Sequence, residues 1–169
     1  MEDNKRTSKT PMDTALRYLA ARPRTEREML DYLDEKGFGE YEVDSTVERL
    51  RELGYVDDAA YAKNFVSSRL RSKPISKAHL WRQLLQHKLD KELIEQALQG
   101  VDDETELENA RQVAKKYARQ FLALDKSERK KRVSARLQGR GFSFYAISHA
   151  IALLEDESGE GFDETDFDA

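Results

Sequence analysis

Residues 29–50 read M-L-D-Y-L-D-E-K-G-F-G-E-Y-E-V-D-S-T-V-E-R-L. Met29 and Leu33 precede the corner Lys36-Gly37-Phe38, and Val43, Val47 and Leu50 follow it. Spacings of three and four gather side chains on one face of a helix. The stretch therefore predicts two amphipathic helices joined at a glycine corner.

The pattern recurs twice, which is the mark of an internal repeat. Around His87-Lys88-Leu89 stand Leu80 and Leu84, then Ile94, Leu98 and Val101. Around Arg140-Gly141-Phe142 stand Val133 and Leu137, then Ile147, Ile151 and Leu154. Each corner is followed by Gly39, Asp90 or Ser143, all acceptable N-caps for the second helix. Pro23-Arg24-Thr25 and Pro74-Ile75-Ser76 announce the first helix, and Thr25-Glu26-Arg27-Glu28 fits a capping box. In the third unit the entrance is Asp125-Lys126-Ser127, so that helix is expected to start earlier relative to its corner.

A further helix is expected before each pair, over about residues 13–21, 58–72 and 103–122. The last two open on Asp57-Asp58 and Asp102-Asp103-Glu104, carboxylates that suit the positive end of a helix dipole. The expected fold is all-α: three tandem three-helix repeats, helix-turn-helix-like, at 12–54, 55–101 and 102–154. Units this small bury little alone, so stacking into one elongated, curved body is expected. Residues 1–11 are expected to form a flexible N-terminal segment and 155–169 an acidic disordered tail.

The 169 residues carry 29 Lys+Arg and 33 Asp+Glu, a formal charge of −4. That total conceals a division. Residues 155–169 hold eight carboxylates and no base, which leaves a body of +4. A charged fraction of 37%, with only 8 Gly and 3 Pro, favours helices over a sandwich or barrel. The absence of Cys excludes disulfides, thiolate zinc sites and cysteine nucleophiles. No apolar run approaches the roughly 20 residues that span a bilayer, and residues 1–11 are too polar for a secretory signal. The expectation is a soluble, cytoplasmic protein.

Charge is also divided among the repeats. Residues 12–54 hold 7 bases against 11 acids, whereas 105–142 hold 11 bases against 4 acids. Residues 63–89 carry seven bases and no acid. In this basic region Arg69, Arg71 and Lys73 end one helix, and Lys77, Arg82 and Lys88 lie in the next pair. Lys115, Lys116 and Arg119, then Lys130, Lys131 and Arg132, and finally Arg140 continue it. A cationic stripe suits a polyanion, because neutralised phosphates release counterions. An acidic protein groove competes for the same surface, since arginine pairs equally well with carboxylates. Tyr61 and Trp81 stand among the bases as either core or stacking residues, while Phe65 reads as core.

Catalysis by this chain is not expected. It contains no phosphate loop, no H-E-x-x-H and no G-x-S-x-G. His79, His87 and His149 are scattered, and His79 has no carboxylate on its helical face, so neither a metal site nor a cofactor is expected. Asp57-Asp58 and Asp102-Asp103 recur at repeat starts and read as caps.

The stretch Gly54-Tyr55-Val56-Asp57-Asp58-Ala59-Ala60-Tyr61-Ala62, with Phe65-Val66-Ser67-Ser68-Arg69 after it, resembles the signature of the RecX family. Leu33-Asp34-Glu35-Lys36-Gly37-Phe38 and Leu50-Arg51-Glu52-Leu53-Gly54 match the family's first unit, and Gly139-Arg140-Gly141-Phe142-Ser143 resembles its third. The similarity spans about 12–154. Tyr55, Asp57, Asp58, Tyr61, Ala62 and Phe65 carry its most specific part. The resemblance implies tandem three-helix repeats and a partner: RecA, above all the RecA filament on single-stranded DNA. It implies inhibition of strand exchange, of the filament's ATPase and of its coprotease action in the SOS response, within DNA repair by homologous recombination. A monomer that also touches DNA directly is compatible with it. The alternative is a stand-alone DNA-binding or architectural protein of helix-turn-helix type, and a third reading is a scaffold for another protein.

Three positions depart from the family pattern. Gly39 stands where a capping side chain is common, Lys73-Pro74-Ile75 replaces a glycine corner, and His87-Lys88-Leu89 is expected to lack a left-handed residue. The tail from residue 155 has two readings, a solubilising segment or a mask over the basic stripe.

Overall fold

The computed structural model describes residues 10–159. Among the described residues there are nine helices and no strand. They are α1 (Pro11–Ala21), α2 (Glu26–Glu35), α3 (Glu40–Glu52), α4 (Asp58–Ser72), α5 (Lys77–Gln86), α6 (Lys91–Leu98), α7 (Asp103–Gln120), α8 (Lys126–Gly139) and α9 (Phe144–Gly159). The expected positions 1–9 of the N-terminal segment and 160–169 of the tail lie outside the described residues. Helix α9 is still helical where the tail was expected to begin.

Local chemistry explains the boundaries. Thr10 caps α1 by accepting the Asp13 N–H at 3.1 Å, and Pro11 follows as the first helical residue, so α1 starts earlier than the expected Asp13. The capping box at α2 is complete, with Glu28 N–H donating to Thr25 Oγ1 at 3.2 Å and Thr25 N–H to Glu28 Oε2 at 3.3 Å. At α3 the glycine cap keeps half of that arrangement, because Glu42 Oε2 still accepts the Gly39 N–H at 3.1 Å. Asp125 caps α8 through the Ser127 and Glu128 N–H groups at 2.9 and 3.0 Å. Helix α8 thus opens early, as its entrance residues predict.

The helix-pair corners need one residue at positive φ, where a Cβ is disfavoured. Gly37 and Gly141 supply it at φ 82° and 80°. The middle corner was expected to lack such a residue. Lys88 itself adopts φ 60°, so the chain accepts a local strain of about 1 kcal/mol rather than change the turn.

The described residues divide into two compact units, one of 10–65 with 84–97 and the other of 66–83 with 98–159. In the first, Ala15, Met29, Leu33, Val43, Val47, Leu50 and Val56 form the buried core, so the predicted faces of α2 and α3 meet α1. In the second, Ala110, Val113 and Ala114 of α7 pack with Val133, Leu137, Phe142, Ala146, Ala150 and Ile151. The small residues on α7 and α9 allow close approach of those helices. Every apolar repeat position is buried except Ile147 and Leu154, which are half-buried against the second core. No helix among the described residues is long and apolar enough to cross a membrane.

Candidate functional site

Each unit contains one junction between successive repeats, and the two share the same pattern of hydrogen bonds. In the first unit the buried Thr25 hydroxyl donates to the His87 carbonyl at 2.7 Å. The Glu26 N–H, at the start of α2, donates to Asp58 Oδ1 at 2.8 Å. In the second unit the buried Ser76 hydroxyl donates to the Arg140 carbonyl at 2.7 Å. The Lys77 N–H, at the start of α5, donates to Glu106 Oε2 at 2.9 Å. In both, a hydroxyl N-cap reaches the corner of the following repeat, and a carboxylate from that repeat's first helix caps the same helix start. Orphan N–H groups at a helix end are thereby satisfied from outside the helix. Burial raises the pKa of Asp58 above the ordinary carboxylate value despite that bond, with Glu26, Asp90 and Asp57 adding repulsion.

Charge separates the two junctions. In the first, His87 Nδ1 lies 2.9 Å from Glu28 Oε1, and the Lys88 ammonium donates to Asp31. Arg27 reaches Asp31 as well, at 3.1 Å. The hydrogen bond from Lys88 holds the Asp31 carboxyl below its ordinary range. Tyr61 and Phe65 stack on each other and meet the His87 ring in T-shaped contacts, with centroids 5.5 and 5.2 Å away. Phe65 is thus packed, as its spacing predicts, and Tyr61 resolves to the same role.

In the second junction Lys73, His79 and Arg140 line a hollow of about 40 Å³ with Pro74, Ile75, Ser76 and Phe142. Partial burial, then the charges of Arg82, Lys73, Arg140 and Arg69, hold His79 below its ordinary pKa. Arg82 Nη2 lies 3.0 Å from where a Cβ on Gly141 would stand. The Arg140 guanidinium is oriented by the Tyr117 hydroxyl, with Nε at 3.1 Å and Nη2 at 2.5 Å.

The structure sorts the sequence-predicted basic residues. Lys88 belongs to the first unit and is engaged by Asp31. Arg69, Arg71, Lys73, Lys77, Arg82 and Arg140 all belong to the second unit. Of these, Arg71, Lys73, Arg82 and Arg140 are exposed. Lys115, Lys116 and Arg119 lie on α7, where Lys115 is half-buried and the other two exposed. On α8, Lys130 meets Glu155 at 3.1 Å and Arg132 meets Glu128 at 2.9 Å, while Lys131 is exposed. Arg129, between them in the same basic run, donates to the carbonyls of Phe121, Leu122 and Leu124 at 3.2, 3.1 and 3.0 Å. It closes the end of α7 and is structural. Sequence reasoning missed His79, whose neighbours come from other helices, and it missed the junction hydroxyls Thr25 and Ser76 in any role beyond capping.

The signature residues also find their places. Asp57 caps α4 through the Ala60 N–H at 2.8 Å, Asp58 caps α2 as described, and Ala62 is fully buried. Tyr55 is exposed. Among the described residues no group of three or more His, Asp or Glu is placed to hold a metal ion.

Family models then match all three repeats: "RecX, first three-helix domain" over 12–50, "RecX, second three-helix domain" over 57–98, and "RecX, third three-helix domain" over 104–151. The chain belongs to the RecX family. Regulatory protein RecX of Chlorobaculum tepidum is 32% identical over 166 residues, covering 98% of this chain and 100% of that protein. Regulatory protein RecX of Chlorobium phaeobacteroides is 33% identical over 143 residues, 85% of this chain and 92% of that protein. The crystal structure of RecX from Lactobacillus salivarius shares the fold with a TM-score of 0.80 at 23% identity, over 86% of this chain and 94% of that one. These relatives bear a regulatory name, not an enzymatic one.

Proposed function

We propose that this protein is a non-enzymatic, cytoplasmic modulator of the RecA recombinase. It binds RecA and the RecA–single-stranded DNA filament, and it restrains recombination, ATP hydrolysis and coprotease action in DNA repair and the SOS response. The observation that carries this reading is the RecX family membership of all three repeats, joined to a cationic set gathered in one unit. The contacts assigned to that role are Arg69, Arg71 and Lys73 at the end of α4 and Lys77 and Arg82 on α5. Lys115, Lys116 and Arg119 on α7, Lys130, Lys131 and Arg132 on α8, and Arg140 extend it. Lys88 is left to structure by its pairing with Asp31. Positive charge of this density draws a phosphate-rich filament from a distance and fixes its register on contact. A monomer suffices, since several weak contacts along a filament add as avidity.

RecA ATP hydrolysis on single-stranded DNA is the test. Sub-stoichiometric protein is expected to slow it, and the R69E/R71E/K73E variant is expected to lose that effect while its helical circular dichroism persists. Unchanged inhibition by the variant would remove these residues from the site. Tight, sequence-selective binding to duplex DNA, with no effect on RecA, would instead establish a stand-alone DNA-binding protein.

A further inference from the structure

We propose that the hollow in the second unit, where Lys73, His79 and Arg140 converge beside Arg82, is a binding site for a backbone phosphate of single-stranded nucleic acid. The proposal deepens the reading of the basic face given above and rests on it for the identity of the polyanion.

The argument comes from the two junctions. Glu28 and His79 each stand ten residues before the last corner residue of their repeats, and Asp31 and Arg82 stand seven before it. Across the junction, His87 corresponds to Arg140 and Lys88 to Gly141. The hydroxyl bonds onto those corners, Thr25 to His87 and Ser76 to Arg140, show that the correspondence is spatial. At the first junction, therefore, two acids meet two basic side chains. At the second, the positions of the acids are held by His79 and Arg82, which face Arg140. Among the described residues none of Lys73, His79, Arg82 and Arg140 has an ion-pair partner, whereas both first-junction acids have one. The cations gathered at this hollow raise one another's electrostatic cost, which an anion entering among them relieves. The anion that the fold supplies at one junction must come from outside at the other.

The donors favour phosphate over carboxylate. Lys73 follows the end of α4, His79 sits in the first turn of α5 and Arg140 belongs to the corner between α8 and α9. Three directions of approach suit a tetrahedral oxyanion, while a planar carboxylate is met best by one bidentate arginine. The buried Ile75 and Phe142 in the wall thin the competing water. On α7 the Glu106 carboxylate is taken up by the Lys77 N–H. After burial, the charges of Arg82, Lys73 and Arg140 lower the His79 pKa, and these are the charges an incoming phosphate would neutralise.

The test follows the His79 ring resonance of the full-length chain by NMR during titration with inorganic phosphate, against sodium chloride of equal ionic strength and against acetate. The expected result is a saturable shift with phosphate alone. Lys73→Gln and Arg140→Gln should each weaken it about tenfold, the loss of one charge-assisted contact. Lys36→Gln, at the equivalent corner position of the first repeat, should leave it intact. A dT oligonucleotide should move the same resonance, and an oligonucleotide with a neutral methylphosphonate backbone should not. An equal shift with chloride, or a phosphate shift untouched by both substitutions, would overturn the site. A stronger response to acetate would also overturn it, in favour of an acidic protein partner. Should RecA hydrolysis be unaffected while the phosphate response stands, the RecA reading fails and the site survives.

Discussion

The two repeat junctions share their hydrogen bonds and differ in their electrostatics. At each, a buried hydroxyl on an N-cap, Thr25 or Ser76, donates 2.7 Å to a corner carbonyl sixty-odd residues away. At each, a carboxylate from the following repeat, Asp58 or Glu106, caps the adjoining helix start. Around these bonds the first junction sets Glu28 and Asp31 against His87 and Lys88, and the second sets His79 and Arg82 against Arg140. Hydrogen bonds to and from the backbone tie the repeats together, so the charged side chains beside them are free to change sign. One junction has spent that freedom on internal pairing, the other on a cationic surface.

The largest effects should come from what the junctions share. Thr25→Val and Ser76→Ala each strand a helix N–H and a corner carbonyl, and each is expected to cost about 1–3 kcal/mol in urea unfolding. Strongly unequal losses would break the equivalence of the junctions. Next comes the difference between them. Arg82→Asp sets an acid, at the position Asp31 holds in the first repeat, among the cations of the second junction, and it should stabilise the fold by up to about 1 kcal/mol at low salt. That gain should fade in roughly 1 M salt, and binding to single-stranded DNA should weaken at the same time. A variant that gains stability and keeps its affinity would uncouple the cluster from binding.

A smaller effect is the pH dependence of the second junction. His79 has its pKa held below 6.5 in the fold, so below that pH the unfolded chain carries more protons than the folded one. Its contribution therefore weakens as pH falls through the region below 6.5, and His79→Gln should unfold with a shallower loss between pH 7 and about 5.5. The smallest change is expected at Lys88→Gly. Relief of the φ 60° strain is offset by the lost Asp31 pair and by greater chain entropy, so the urea midpoint should barely move. A gain of more than about 1 kcal/mol would show that the Lys88 pair adds nothing to the first junction.

Much of the fold was legible because it is written in local terms. Apolar residues at helical spacing around Lys36-Gly37-Phe38, and again around His87 and Arg140, identify the helix pairs, and Thr25, Ser76 and Asp125 mark their starts. The middle corner was misread because Lys88 carries a left-handed conformation without glycine's signature. The basic residues were legible as a list, yet the list could not separate Lys88, neutralised by Asp31, from Lys73, which lines the hollow. Arg129 looked like its cationic neighbours and proved to be a helix-end clamp.

The sequence alone determined the repeat, its all-helical class and the acidic and basic division of the chain, because periodicity, caps and net charge act over a few neighbouring residues. Tertiary structure decided which charges neutralise one another. Glu28 meets His87 and Asp31 meets Lys88 across more than fifty residues, and Arg140 comes to His79 across a similar distance. Coulomb energy depends on separation and burial rather than on position in the chain. The same residue types therefore yield silent ion pairs at one junction and an open cationic hollow at the other.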